Sequence, residues 1–174
     1  MKFHLYECII KRQDGEVRAH IVAPSRDRAW MVAIEHEEAL GLEHHDITLT
    51  RVDETLDGNR RRGLDALLES APVGFASWCE IGWVAHTAPV QQLQLYRLVK
   101  DGAEDQFAIA PNIDIAASLF TTALRMPIGE TRMLQIADGM KDLPDDKVRN
   151  LPQLLELGPV GVVDFDIATG WALA

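Results

Sequence analysis

Residues 35–46 hold the densest run of side chains that could ligate a metal ion or transfer a proton. Their sequence is EHEEALGLEHHD. A helical zinc site places two histidines four residues apart. His36 instead precedes His44 by eight residues and His45 by nine, and Gly41 interrupts any helix between them. We therefore predict no metal site and no cofactor, and we retain a metal-dependent enzyme that uses this segment as an alternative.

Signatures of nucleophilic catalysis and of phosphate binding are missing from the sequence. No Gly-x-Ser-x-Gly, P-loop or Gly-x-Gly-x-x-Gly motif occurs. Cys79 is a candidate nucleophile, but nothing around it predicts the lowered thiol pKa that a reactive cysteine needs. We therefore predict no catalytic residues and favour a non-enzymatic protein.

The chain contains an internal repeat. Residues 64–74 (LDALLESAPVG) align with residues 151–161 (LPQLLELGPVG), and 7 of these 11 positions are identical. Ordinary composition gives roughly one identity by chance in a window of this length. We predict a tandem duplication of one small α+β unit. The first copy covers residues 1–88, the second covers 93–174, and a short rigid linker spans 87–92.

The first copy begins with a predicted β-hairpin followed by a helix. Residues 3–11 alternate between apolar and polar types, and the Asp14-Gly15 turn leads into a return strand over 17–23. Ser25 is a suitable N-cap for the helix, which Gly41 ends. We expect this helix to bury Trp30, Ala33 and Ile34 against the sheet.

A third strand, a second helix and a final pair of short strands complete the copy. Leu64, Leu67 and Leu68 have the spacing of one buried helical stripe. The second copy repeats the pattern, with Asn112 as the N-cap and Pro152 in the first turn of its second helix. The predicted fold class is α+β, with the order β-β-α-β-α-β(β), a mostly antiparallel sheet in each copy and the helices packed on one face.

Acidic residues dominate the charge of the chain. Asp and Glu number 27 against 17 Lys and Arg, which gives a net charge of −10 at pH 7. Binding to a nucleic-acid backbone requires a basic footprint, so no direct nucleic-acid binding is expected. An acidic surface instead suits a protein partner with a basic surface.

The sequence also favours a cytoplasmic location. It has neither an apolar run of the length of a membrane span nor a signal peptide. Cys8 and Cys79 both fall in the first copy and have no cysteine counterparts in the second. A disulfide framework would repeat with the fold, so we expect two reduced thiols and no membrane association.

The order of a strand, a helix with a leading Ala, and a strand resembles that of small accessory proteins of plasmids, phages and integrative elements. We hypothesise a regulatory, protein-binding function. Its most specific version is a mobile-element inhibitor of a host nucleic-acid-handling defence complex, of the anti-CRISPR or anti-restriction type, whose carboxylates imitate phosphates. The candidate partner-binding residues are Glu35, Glu37, Glu38, Glu43 and Asp46 in the first copy and Asp142, Asp145, Asp146, Asp164 and Asp166 in the second.

A sensor of a small molecule or peptide is a further alternative. Ligands commonly bind where two domains meet, so a pocket between the copies would suit this function. Its lining would draw on the tryptophans Trp30, Trp78, Trp83 and Trp171.

Overall fold

The chain folds as a mixture of helices and antiparallel sheets, which confirms the α+β class. The computed structural model describes residues 2–86, 93–99, 102–125, 132–135, 143–144 and 147–174. Contacts divide the chain into two compact units. The first contains residues 2–78 and 82–86, and the second contains residues 79–81 and the described residues from 93 onwards. The predicted linker, residues 87–92, lies outside the described residues.

The first unit is built on a five-stranded sheet with the strand order β3-β1-β2-β4-β5. β1 pairs antiparallel with both β2 and β3, and β2 pairs antiparallel with β4. The strands are β1 (His4–Arg12), β2 (Gly15–Ala23), β3 (His44–Arg51), β4 (Gly74–Cys79) and β5 (Gly82–His86), and the helices are α1 (Arg26–Leu40), α2 (Gly58–Arg61) and α3 (Leu64–Ser70).

Helices α1 and α3 cover opposite faces of this sheet. Successive residues of a strand face opposite sides, so Leu5 and Tyr6 point in opposite directions. Leu5 packs with Leu64 and Leu67 of α3. On the other face, Phe75 of β4 contacts the imidazole of His36 on α1. The prediction that the helices of a copy pack on one face is therefore wrong for the first unit, because both faces of its sheet carry apolar residues that need cover.

The second unit has a sheet with the strand order β10-β9-β7-β6-β8. Read from β8 to β10, this order matches that of the first sheet, with β3, β1, β2, β4 and β5 replaced by β8, β6, β7, β9 and β10. The elements are β6 (Gln94–Val99), β7 (Gln106–Ala110), α4 (Ile113–Leu124), β8 (Arg132–Gln135), α5 (Leu151–Leu157), β9 (Gly161–Asp166) and β10 (Gly170–Leu173).

The first helix of each unit begins as the sequence predicts. The Ser25 hydroxyl accepts a hydrogen bond from the Arg28 amide at 3.2 Å, and the Asn112 side chain accepts one from the Ile115 amide at 2.9 Å. Each bond satisfies an amide that the first helical turn would otherwise leave without a partner. Gly41 ends α1 in the left-handed conformation, at φ 65°.

Asn150 ties the start of α5 to the last strand. Its side-chain oxygen accepts from the Trp171 amide at 2.8 Å, and its side-chain nitrogen donates to the Trp171 carbonyl at 2.9 Å. A Cβ atom at Gly170 would lie 2.3 Å from the Asn150 oxygen, so only glycine fits there. Pro152 lies in the first turn of the helix, as predicted.

Within the described residues, none of the helices has the length and apolar character to cross a membrane.

Candidate protein-binding face

Glu37 is the one predicted contact residue of the first copy that lies inside the fold. Its side chain is 0% exposed and bonded to Arg12, with Nε donating to Oε2 at 3.0 Å and Nη2 donating to Oε1 at 2.5 Å. The Arg12 side chain is itself only 8% exposed. The structure therefore removes Glu37 from the partner-binding residues, because a buried, ion-paired carboxylate cannot meet a partner surface.

The other four predicted acids of the first copy are exposed. Glu35 pairs with Arg28 at 2.9 Å, Glu43 accepts from Gln13 at 3.0 Å, and Asp46 lies 3.7 Å from Lys11. Such surface pairs contribute about 0–1 kcal/mol each. Within the part of the chain that the structure describes, Glu38 is paired with no cation. These four carboxylates are therefore available to a partner at little cost.

In the second copy, Asp164 is exposed and Asp166 has a local structural role. The Asp166 carboxylate accepts from the amides of Thr169 and Ala168 at 2.9 and 2.8 Å and from the Thr169 hydroxyl at 3.1 Å. These bonds close the turn between β9 and β10 and lower the pKa of Asp166. The predicted contacts Asp142, Asp145 and Asp146 lie outside the described residues.

Helix α1 buries small and polar side chains and exposes large apolar ones. The residues that it turns to the sheet are Ala29, Val32, Ala33, His36 and Glu37. Trp30 and Met31 are each 48% exposed. The prediction that Trp30 is buried is therefore wrong. The signal that was missed is that residues 29, 32, 33, 36 and 37 form a continuous helical stripe, which leaves Trp30 on its edge.

The exposed apolar and acidic side chains of α1 lie on the same side of the helix. Residues three or four positions apart are neighbours on a helix, so Trp30, Met31, Ile34, Glu35 and Glu38 form one surface, here called the α1 outer face. The last turn of α1 contains no basic residue. Because the carboxyl end of a helix carries a partial negative charge, Glu38 adds to a potential that is already negative.

The histidines of residues 35–46 do not come together. His36 is 2% exposed and packs edge-on against the Phe75 ring, with 5.1 Å between centroids. His44 and His45 are consecutive in β3, at the point where the pairing of this strand with β1 shifts its register. In the described residues, no compact group of three potential ligands includes either of them.

Ser77 and His86 form a buried hydroxyl–imidazole pair. The Ser77 oxygen lies 3.0 Å from Nε2 of His86. His86 is 2% exposed and Ser77 is 8% exposed. Burial, together with the nearby imidazole of His36, lowers the pKa of His86 to about 4, so the His86 imidazole is neutral at pH 7. A substrate could not reach this pair without local opening, so we interpret the pair as part of the core.

Three half-buried rings line the sheet face of the first unit that α1 does not cover. Trp83 contacts His20 and Trp78 edge-on, with centroids 5.2 and 5.7 Å apart. Its indole nitrogen donates to the Arg60 carbonyl at 2.6 Å. Trp78 and Trp83 therefore belong to this row of rings, whereas Trp30 lies on α1 at the opposite face of the same sheet.

The second unit carries the same arrangement. Trp171 contacts Phe107 and Phe165, with centroids 5.0 and 5.3 Å apart, and its indole nitrogen donates to the Lys147 carbonyl at 2.7 Å. The Lys147 ammonium lies 5.7 Å from the centre of the Phe165 ring. Because the row occurs in both units, we interpret it as a requirement of the architecture.

Comparison with known proteins identified no relative. No protein-family model matches the chain, and no curated protein or solved structure is significantly similar to it.

Proposed function

We propose that the protein is a non-enzymatic, acidic binding protein that regulates a partner by docking on its basic surface. The observation that carries the proposal is that Glu35, Glu38, Glu43 and Asp46 are all exposed along one short segment. This segment spans the end of α1 and the start of β3, and α1 packs against β3. The cations that pair with Glu35 and Asp46 make weak surface contacts, which a partner's Lys or Arg can replace.

The proposed partner class is a nucleic-acid-handling complex. Such complexes bind phosphate groups through clustered Lys and Arg, and a row of carboxylates can occupy the same positions. The most specific form of the proposal is an inhibitor of a host defence complex, carried by a mobile element and acting in the cytoplasm. The net charge of −10 supports docking on a basic protein and disfavours contact with nucleic acid itself.

Affinity purification of the full chain from its native host, followed by mass spectrometry, tests the proposal. The test variant is Glu38→Lys/Glu43→Lys/Asp46→Lys. A matched control is Asp65→Lys/Glu69→Lys/Glu104→Lys, which makes the same change in net charge at exposed positions elsewhere. We expect the partner to be lost in the test variant, retained in the control and released by high salt. An identical set of captured proteins for all three chains would contradict the proposal.

We further propose that the two units arose by tandem duplication. The shared strand order, the N-caps at Ser25 and Asn112, and the indole bonds of Trp83 and Trp171 support this origin. The acidic and histidine-rich segment exists only in the first unit, which is where we place the binding function. Sequences of relatives test the origin: two halves that are more alike in relatives than in this chain support it, and unrelated halves contradict it.

A further inference from the structure

We infer that the α1 outer face recognises a basic amphipathic helix of the partner, with Trp30 and Met31 as the apolar anchor between the two helices. This inference rests on the proposed function and specifies how the partner is held.

The first argument is the inverted burial of α1. A surface helix normally turns its largest apolar side chains to the core. Helix α4 buries Leu119 and Phe120 in its middle, although Ile113 at its first position is 48% exposed. At the equivalent positions, 87 residues earlier, α1 buries only Val32 and Ala33. Trp30 and Met31, the large apolar residues in the middle of α1, are instead about half exposed to solvent.

The second argument is that α4 lacks this exposed apolar pair. The positions equivalent to Trp30 and Met31 are Ala117 and Ser118. The Ser118 hydroxyl donates to a backbone carbonyl of its own helix, as is usual on a solvated helix face. The architecture of the unit therefore does not require large apolar residues here. Trp and Met are enriched at protein interfaces, where they supply apolar contact area around which polar groups fix orientation.

The third argument is that the negative charge of the α1 outer face favours a basic partner. Glu38 lies on the same face as the apolar pair, in the last turn of α1 where the helix dipole is negative, and Glu35 on this face is paired with Arg28 at 2.9 Å. A second copy of this chain would place carboxylates against carboxylates, and a phosphate-bearing ligand would be repelled in the same way. The apolar pair would pack against a partner helix that has Leu-type residues at three- and four-residue spacing. Lys or Arg residues flanking that stripe would meet the carboxylates.

A synthetic peptide tests the recognition directly. The probe is a fluorescein-labelled helix of about 18 residues, or five turns, with leucine along one stripe and lysine elsewhere. The control peptide has glutamate in place of every lysine. We expect the full-length protein to bind the lysine peptide, as measured by fluorescence anisotropy at physiological salt, and to leave the glutamate peptide free. Equal binding of both peptides would overturn the inference.

The matched protein variant is Trp30→Ala/Met31→Ser, which gives α1 the residues that α4 carries. Loss of an interface anchor typically weakens binding by about tenfold or more, and we expect that loss here. Trp30→Gln, which keeps Met31, provides a second variant with a smaller change to the helix and should weaken binding in the same direction. Wild-type affinity in both variants would overturn the inference. So would a concentration-dependent dimer of the wild-type chain that the double variant abolishes, because the face would then bind a second copy.

These variants also separate the inference from the proposed function. If the native partner is lost on charge reversal but is still captured by Trp30→Ala/Met31→Ser, the inference fails and the proposed function stands. If the native partner survives charge reversal, the proposed function fails, whatever the peptide does.

Discussion

Arg12 of β1 and Glu37 of α1 form a two-point ion pair inside the first unit. The shorter contact joins Nη2 of Arg12 to Oε1 of Glu37 at 2.5 Å, and the two side chains are 8% and 0% exposed. The pair links the helix to the sheet and compensates one of the two carboxylates in the last turn of α1. It explains how a helix with polar residues on its inner side can remain packed.

Removal of one member of this pair should destabilise the first unit strongly. Glu37→Leu leaves a buried guanidinium, and Arg12→Met leaves a buried carboxylate, so each should lower the free energy of unfolding by about 3–5 kcal/mol. The double variant should recover much of that loss. Urea denaturation measures the effect. Arg97→Met serves as a control, because Arg97 and Asp105 are 43% and 30% exposed and their pair should contribute about 0–1 kcal/mol. Equal losses for the control and for Arg12→Met would contradict the prediction.

His86 should make the first unit sensitive to acid. Its pKa is about 4 in the folded chain against 6.5 in the unfolded chain, mainly because it is buried. The unfolded chain therefore binds the proton more strongly, and the stabilisation is complete above about pH 6.5 and is lost as the pH falls towards 4. The loss reaches about 3 kcal/mol, since each pH unit corresponds to about 1.4 kcal/mol.

The variant His86→Gln measures that contribution. It cannot titrate, but it keeps a polar group for Ser77. The difference in unfolding free energy between the wild type and the variant should shrink steadily from pH 7 to pH 4. Parallel stability profiles over this range would show that His86 does not carry the effect.

The two indole hydrogen bonds should differ in strength. Trp171 is only 2% exposed, and the variant Trp171→Phe keeps a ring but removes the hydrogen bond to the Lys147 carbonyl. This variant should therefore lower the free energy of unfolding by about 1–3 kcal/mol. Trp83 is only half-buried, and water can replace its bond to Arg60, so Trp83→Phe should cost about 1 kcal/mol or less. Thermal and urea unfolding of the two variants check the order, and a larger loss for Trp83→Phe would contradict it.

Cys8 should be inert in the folded protein. It is 0% exposed, and burial, assisted by the charge of Glu37, raises the pKa of its thiol to about 12. In a Cys79→Ser background, a disulfide reagent at pH 8 should label Cys8 only as fast as the first unit opens, and at once in urea. Labelling of the native chain at the rate of the denatured chain would show that the thiol is accessible.

The parts of the fold that the sequence predicts are those governed by local chemistry. Ser25, Asn112 and Gly41 act within one helical turn of their own position, so their roles can be assigned without knowing the fold. Strand alternation likewise located the hairpins. The repeat at residues 64–74 and 151–161 indicated which later elements correspond.

The inner face of α1 could not be assigned in this way. Trp30, Ala33 and Ile34 have the spacing of a buried stripe and are more apolar than the stripe that the helix uses. The choice between the two depends on Arg12, which lies 25 residues before Glu37 and makes its burial possible. For the same reason, Glu37 could not be distinguished from its exposed neighbour Glu38. Long-range pairing, rather than composition, decided which carboxylates of the candidate site reach the surface.

The rows of rings around Trp83 and Trp171 show which substitutions at their outer positions are compatible with the fold. Phe107 stands where the first unit has His20, and Phe165 stands where it has Trp78, yet the central indole keeps both neighbours and its carbonyl partner. The same chain thus contains two different sets of outer rings that pack around an equivalent tryptophan. Exchange of these outer rings between the units is accordingly a mild perturbation, whereas exchange of the central tryptophan for a ring without a donor is a larger one in the second unit, where Trp171 is buried.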